Sequence, residues 1–300
     1  MNGAQSLFKA LINAANPGEF KRRIKMLKIR RISFLLTPTL TLALVLVLAI
    51  TGAAFAEDTE EELAKKLSNP VASLISVPLQ YNYDKNIGPK DDGSKSVLNI
   101  QPVWPFSLNA DWNLITRTII PLVDQHDIPV KGEHDSGLGD ILQSFFFSPK
   151  DPVGGWILGA GPVLLYPSAT DSLLGGEKWG VGPTVVALQQ TNGWTYGILA
   201  NHLESFEGKD DRAYISSTFL QPFVSYTTKT KTTIGLNTES TYDWHNSAWS
   251  VPVNFTVGQL FKIGKLPMQL TAGVRYWAES QDNGPEGFGA RLVLTFLFPK

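Results

Sequence analysis

The chain is predicted to be all-β, a transmembrane antiparallel β-barrel of about 12 strands preceded by a cleaved signal peptide and a short N-terminal helix. Three observations predict it. Beyond Val71 apolar and polar residues alternate with period two in segments of about 10 to 14 residues. The connections between segments alternate between long and short. Tryptophan and tyrosine recur near segment ends, where a barrel meets the two membrane interfaces. Composition agrees, with 43% hydrophobic residues, 11% aromatic and only 18% charged, including 8 Trp and 26 Gly.

The front end accounts for most of an uneven charge distribution. Residues 1 to 56 hold about 8 of the 26 Lys+Arg and about 1 of the 27 Asp+Glu, so a basic leader precedes an acidic body. Within it "KRRIKMLKIRRISFLLTPTLTLALVLVLAITGAAFAEDTEEE" runs from basic to apolar to the small-residue exit Ala54-Phe55-Ala56. That three-part form predicts a signal peptide over 1–56, cleaved after Ala56. The competing reading is a membrane anchor, since Ile32 to Ile50 is about 19 residues long. Pro38 and the small-residue exit favour cleavage, and Met26 is an alternative start because "MLKIRR" already supplies a basic region.

Residues 57–70 predict a short helix, periplasmic or folded inward as a plug. Thr59 and Glu62 stand at capping-box spacing, Glu61 with Lys65 and Glu62 with Lys66 are i,i+4 pairs, and Asn69-Pro70 stops the run. Leu63 and Leu67 form a stripe too narrow to bind a membrane but wide enough to dock on a larger body.

From 71 to 300 the segments fall near 74–83, 96–104, 111–123, 138–147, 155–166, 178–190, 194–206, 213–227, 231–244, 249–261, 267–279 and 287–298. The faces separate lipid-like from water-like residues: Ile234, Leu236, Tyr242 and Trp244 alternate with Asn237, Glu239, Thr241 and Asp243. In the last segment the apolar face is Phe288, Ala290, Leu292, Leu294, Phe296 and Phe298, which the barrel turns to lipid while the strand closes against Val77–Tyr83. A soluble β-sandwich also alternates, but its strands usually run five or six residues and it has no need of an apolar face on nearly every long strand.

Alternation nominates Asn113, Arg117, Asp140, Asn201, Asn237, Glu239, Asp243, Arg275 and Arg291 as lumen-lining, with both charge signs present, either as a selectivity ring or as salt bridges across the interior. "WILGAGPVLLY" and "WGVGPTVVAL" are apolar on both faces, which suits either an apolar passage or packing against an inward helix. His245 and Ser247 lie two apart and offer an imidazole and a hydroxyl to lipid-hydrolase chemistry, without an evident third member. "DQHDIPVKGEHD" holds His126, Asp127, Glu133, His134 and Asp135, but without metal-ligand spacing it reads as a solvated acidic loop, so no metal site is assigned. His202 reads as a barrel side chain. No cofactor motif is found, and the acidic mature chain argues against nucleic acid.

Several stretches resemble a proteobacterial outer-membrane barrel family labelled for the "MetA-pathway of phenol degradation", transporter-type and sometimes misnamed neuromedin U. They are "ELAKKLSNPVASLISVPLQYNYDKNIGP", "LNIQPVWPFSLNADWNLITRTIIPL", "GLGDILQSFFFSP", "YGILANHLESF" and "LQPFVSY". The resemblance implies a signal-bearing barrel in the outer membrane of a Gram-negative bacterium, and it brings no catalytic residues. A C-terminal strand ending in Phe resembles the signal read by the outer-membrane assembly machinery, although here Pro299 and Lys300 follow the Phe. The resulting expectation is a non-enzymatic channel or transporter for passive passage of small solutes, hydrophobic or aromatic ones included, with outer-membrane lipids as its surroundings. The alternatives are the His245/Ser247 lipid hydrolase and a closed structural barrel with acidic surface loops.

Overall fold

The computed structural model describes residues 60–299. The signal peptide, the alternative start at Met26 and the cap at Thr59 lie outside them. A helix α1 (Glu60–Leu67) is followed by fifteen strands: β1 (Ile75–Ile87), β2 (Gly93–Ile100), β3 (Val103–Ser107), β4 (Trp112–His126), β5 (His134–Leu138), β6 (Ile141–Pro149), β7 (Ile157–Tyr166), β8 (Lys178–Thr191), β9 (Trp194–Gly208), β10 (Ser216–Thr227), β11 (Thr232–Thr238), β12 (Ser240–Asp243), β13 (Ala248–Ile263), β14 (Leu266–Glu279) and β15 (Gly287–Phe298).

Fifteen strands make twelve staves, because β2–β3, β5–β6 and β11–β12 are each one stave interrupted in the middle. Every interruption faces a proline on a neighbouring stave. Gln101 N donates to Pro78 O at 2.9 Å, Gly139 N to Pro121 O at 2.9 Å and Glu239 N to Pro252 O at 3.2 Å. Proline accepts a ladder bond but has no N–H to return, so pairing lapses beside it while the sheet continues.

The sheet closes on itself. β1 pairs antiparallel with β15 over nine rungs, from Ile75↔Phe298 through Val77↔Phe296 to Tyr83↔Ala290. Closure leaves no open edge, the condition for a sheet in hydrocarbon, where an unpaired N–H or C=O would cost several kcal/mol. The start of β1 and the end of β15 both lie at the mouth with the short turns. The longer loops, such as 167–177 and 280–286, gather at the other mouth.

The outer surface is apolar. Val185, Ile198, Leu236, Phe255, Leu270, Val274, Phe288 and Leu292 are all exposed, whereas the residues alternating with them are buried or half-buried. Along β15 the outward face is exposed at Phe288 and Leu292 and covered at Phe296 and Phe298. Aromatic pairs mark both rims: Trp194 with Tyr226 at 5.0 Å near the short turns, and Tyr276 with Phe288 at 5.0 Å toward the long loops.

Helix α1 enters the barrel at the short-turn mouth. Lys65 and Lys66 lie in its last turn, where cations complement the helix dipole. Ser68 N and Asn69 N bond back to Lys65 O and Lys66 O, and the Asn69 side chain accepts from Val71 N at 2.9 Å, so the chain leaves the helix in a tight turn at Pro70. Leu63 (1% exposed) and Ala64 pack with Ala72 and Leu74 onto Leu260 of β13 and Leu297 of β15. Across the mouth, Gln190 of β8 donates its Nε2 to Lys65 O at 2.8 Å. β8 stands six staves from β15, diametrically opposite in a ring of twelve. The helix therefore spans the opening.

Val71 extends the plug onto the wall of β4, β6, β8 and β9, in a cluster with Ile115, Phe146, Val186, Leu188 and Leu199. The inward faces of the two doubly apolar segments, β7 and β8, serve this packing. Gly159 leaves room for it, since a Cβ there would lie 3.3 Å from Val71 Cγ1. Phe146 and Ile115 are fully buried; each such side chain contributes about 1.5–3 kcal/mol relative to exposure.

Candidate functional site: a charged layer inside the barrel

Above the plug the interior is polar. Arg291 of β15 is held from two sides: its Nε donates to Asn82 Oδ1 at 2.7 Å, and Nη1 and Nη2 donate to the two carboxylate oxygens of Glu239 at 2.9 and 2.6 Å. Glu239 occupies the gap between β11 and β12, where the proline-lapsed ladder leaves the backbone free to turn a carboxylate inward. Arg275 of β14 sits with its guanidinium 4.6 Å over the Trp277 ring and its Nε 3.5 Å from Asp84 Oδ1. That separation is ion-pair contact rather than a hydrogen bond, and Arg275 Nε is one of three buried side-chain atoms without a hydrogen-bond partner among the described residues. Asp84 instead accepts the Trp277 indole N–H at 2.7 Å. Lys95 faces Asp84 across the β1–β2 ladder, and Arg117 Nη2 donates to Gln101 Oε1 at 2.7 Å.

This layer carries four cations (Lys95, Arg117, Arg275, Arg291) against two anions (Asp84, Glu239). It divides two cavities. One of about 300 Å³ lies between the plug and the wall and is lined by Asn69, Gln101, Arg117, Asn237 and Gln269; another of about 370 Å³ lies toward the long loops and is lined by Asp84, Lys95, Gln125, Glu239 and Arg275. Gln80 lines both.

Of the nine residues nominated by alternation, five gather here: Arg117, Asn237, Glu239, Arg275 and Arg291, with Asn237 accepting from Asn254 Nδ2 at 2.9 Å. Four do not. Asn113 sits on the inner face of β4 near the short turns, opposite Ser107 and Ser148. Asn201 is buried on β9 opposite Thr184, beside the apolar wall. Asp140 and Asp243 hold loops. Asp140 accepts the backbone N–H of Ala169 at 3.1 Å and of Gly176 at 2.6 Å, pinning the β7–β8 loop. Asp243 accepts from His245 N, Asn246 N and Asn246 Nδ2 at 2.8 to 3.1 Å and caps the β12–β13 turn.

Asn82, Asp84, Lys95, Gln101, Asn254 and Trp277 belong to the layer and were not nominated. The same alternation carries most of them. "YNYDK" sends Tyr81 and Tyr83 outward and Asn82 and Asp84 inward.

His245 and Ser247 share a turn, with Ser247 at φ 52°, and no hydrogen bond joins their side chains among the described residues. A hydroxyl, an imidazole and a carboxylate do align elsewhere, on the outer wall. His202 shares hydrogen bonds with Thr218 Oγ1 at 2.8 Å and Glu204 Oε1 at 2.9 Å. Thr218 also takes the Trp244 indole N–H at 2.8 Å, while Glu204 takes Ser216 Oγ at 2.7 Å and the Tyr214 hydroxyl. With each acceptor already engaged, this network ties β9, β10 and the turn after β12 at the rim.

No protein-family model and no curated protein sequence matches the chain. Among solved structures it is similar to an outer membrane channel from Pseudomonas putida F1, at TM-score 0.60 and 16% identity over 75% of this chain and 96% of that one. It is also similar to the NanC porin, at TM-score 0.46 and 10% identity over 75% and 100% of the two chains. A third is outer membrane phospholipase A from Escherichia coli, at TM-score 0.37 and 10% identity over 74% and 92%. The first of these is a likeness of fold: a closed barrel of the outer-membrane type.

Proposed function

We propose that the protein is a channel in the outer membrane of a Gram-negative bacterium that passes small solutes by diffusion and favours anions. The observation that carries this is the charged layer, where four cationic side chains face two carboxylates between two cavities. In a narrow passage with low-dielectric walls such an excess concentrates counter-ions and repels cations. The outer wall is solvated by lipid, and export depends on the signal over 1–56 and on the assembly machinery. Apolar wall residues pack on the plug, so they favour a plugged polar passage over a greasy one for hydrophobic or aromatic solutes.

Planar-bilayer recording of the purified protein tests it. Discrete current steps with a reversal potential on the chloride side under a KCl gradient are expected. Absence of steps, or cation selectivity, would overturn it.

A further inference from the structure

The hairpin of β4 and β5 at the long-loop mouth places three metal-binding side chains on one outward-facing patch. β4 alternates Leu122, Asp124 and His126 on its outer face, and the register puts Leu122 opposite Leu138, Asp124 opposite Ser136 and His126 opposite His134. The apolar outer wall thus gives way, within two rungs, to a carboxylate and a pair of imidazoles. His126 Nε2 lies 2.9 Å from Asp124 Oδ1 and His134 Nε2 lies 3.2 Å from Asp124 Oδ2. The two rings stack at 4.0 Å with an interplanar angle of 11°, so their Nε2 edges point the same way. One ligand atom from each residue falls within 4.8 Å of the others. Asp124 is about a quarter exposed (23%) and the two histidines about half (53% and 52%), so solvent ions reach the patch.

We propose that Asp124, His126 and His134 form a transition-metal site on the outer lip of the barrel, taking Zn²⁺ or a similar ion through two imidazole nitrogens and one carboxylate oxygen. Metal–ligand bonds of roughly 2.0–2.2 Å at tetrahedral angles separate donor atoms by about 3.3 Å; each imidazole nitrogen already keeps about that distance from one oxygen of the carboxylate, His126 from Oδ1 and His134 from Oδ2, and rotation of the carboxylate presents one oxygen to both. Neutral imidazole with one carboxylate suits Zn²⁺, Ni²⁺ or Cu²⁺, whereas Mg²⁺ and Ca²⁺ take all-oxygen shells. In the metal-free state His134 Nε2–H donates to Asp124 Oδ2, and His126 Nε2 lies in contact with Asp124 Oδ1. Each neutral ring moves its single hydrogen from Nε2 to Nδ1, and the Nε2 lone pair so freed binds the ion. The remaining coordination positions face outward and take water. Because His126 and His134 are the last and first residues of their strands, the ion would clip the base of the 127–133 loop.

The neighbouring acidic residues serve other ends. Asp127 accepts the Gly132 N–H at 2.6 Å within the loop, Asp135 stands opposite buried Gln125 on the inner-face rung, and Asp92 pairs with Lys131 at 3.7 Å. The chain has only 4 His, which keeps background binding low.

Calorimetric titration of tag-free protein in detergent with ZnCl₂ tests the site, with heat-modifiable gel mobility verifying that each variant is folded. One ion per chain is expected, with affinity falling at least tenfold in His134→Ala and in Asp124→Asn and unchanged in His245→Ala. Bound Cu²⁺ is expected to show two nitrogen couplings by electron paramagnetic resonance, lost in the His126→Ala/His134→Ala double variant. Zinc binding that survives in the folded double variant, that falls equally in His245→Ala, or that is absent from the wild type would overturn the proposal.

Discussion

Arg291 and Glu239, 52 residues apart in sequence, meet fork to fork across the barrel interior, with both carboxylate oxygens taken by the two terminal guanidinium nitrogens. Arg291 is 4% exposed and Glu239 19%, so neither charge has water as an adequate substitute for the other. Breaking such a pair from one side costs about 3–5 kcal/mol, mostly through the charge left behind. Arg291→Gln should lower the unfolding midpoint of the folded barrel sharply and shift the reversal potential toward cations. The Arg291→Gln/Glu239→Gln double variant should regain part of the stability, because no orphaned charge remains. Urea titration followed by gel mobility measures the first effect, and bilayer recording measures the second.

The plug makes a separate prediction. Deleting residues 60–70 removes Leu63 and Ala64 from their seat on Leu260 and Leu297 and frees Gln190. Single-channel conductance is expected to rise severalfold while the anion preference is retained, since the charged layer lies above the plug. Unchanged conductance would mean that the helix does not limit flow.

Ile115 and Phe146, both fully buried against Val71, hold the far wall of the plug. Ile115→Ala should cost about 2–5 kcal/mol and Phe146→Ala about 3–5 kcal/mol. Both should also increase conductance by loosening the chain at Val71, which distinguishes them from destabilising changes on the lipid face.

A Cβ on Gly182 would fall 1.7 Å from the carbonyl oxygen of His202 on the neighbouring strand. No side-chain rotation relieves a clash with backbone, so Gly182→Ala must push β8 and β9 apart. The expected outcome is loss of the compact unboiled gel band, whereas Gly154→Ala should assemble better than Gly182→Ala because nothing lies near its Cβ, although its φ of 59° carries strain.

Strand number and position were legible because period-two alternation is enforced twice, by lipid outside and by polar groups inside, and all twelve staves fall on the segments it marks. Loop asymmetry was legible for the same reason. What alternation cannot reveal is which inward residues meet. Barrel curvature brings Glu239 to Arg291 and sends Asp140 and Asp243 to loop backbone, although all four share an inward pattern in sequence. The split staves were hidden too: the interruption at Glu239 is caused by Pro252 on the next strand, and nothing beside Glu239 announces it. The histidine pair became visible only once hairpin register set His126 opposite His134, with Asp124, a residue the loop composition did not single out, beneath them.

The nine-rung zip between β1 and β15 also acts as a proofreader. Were the two ends to join one residue out of step, Asn82 or Arg291 would swing into hydrocarbon and a greasy partner would turn toward water, since neighbouring positions point to opposite sides of a sheet. A mistaken fastening is therefore rejected by its own surroundings, and the cylinder needs no template to settle its circumference.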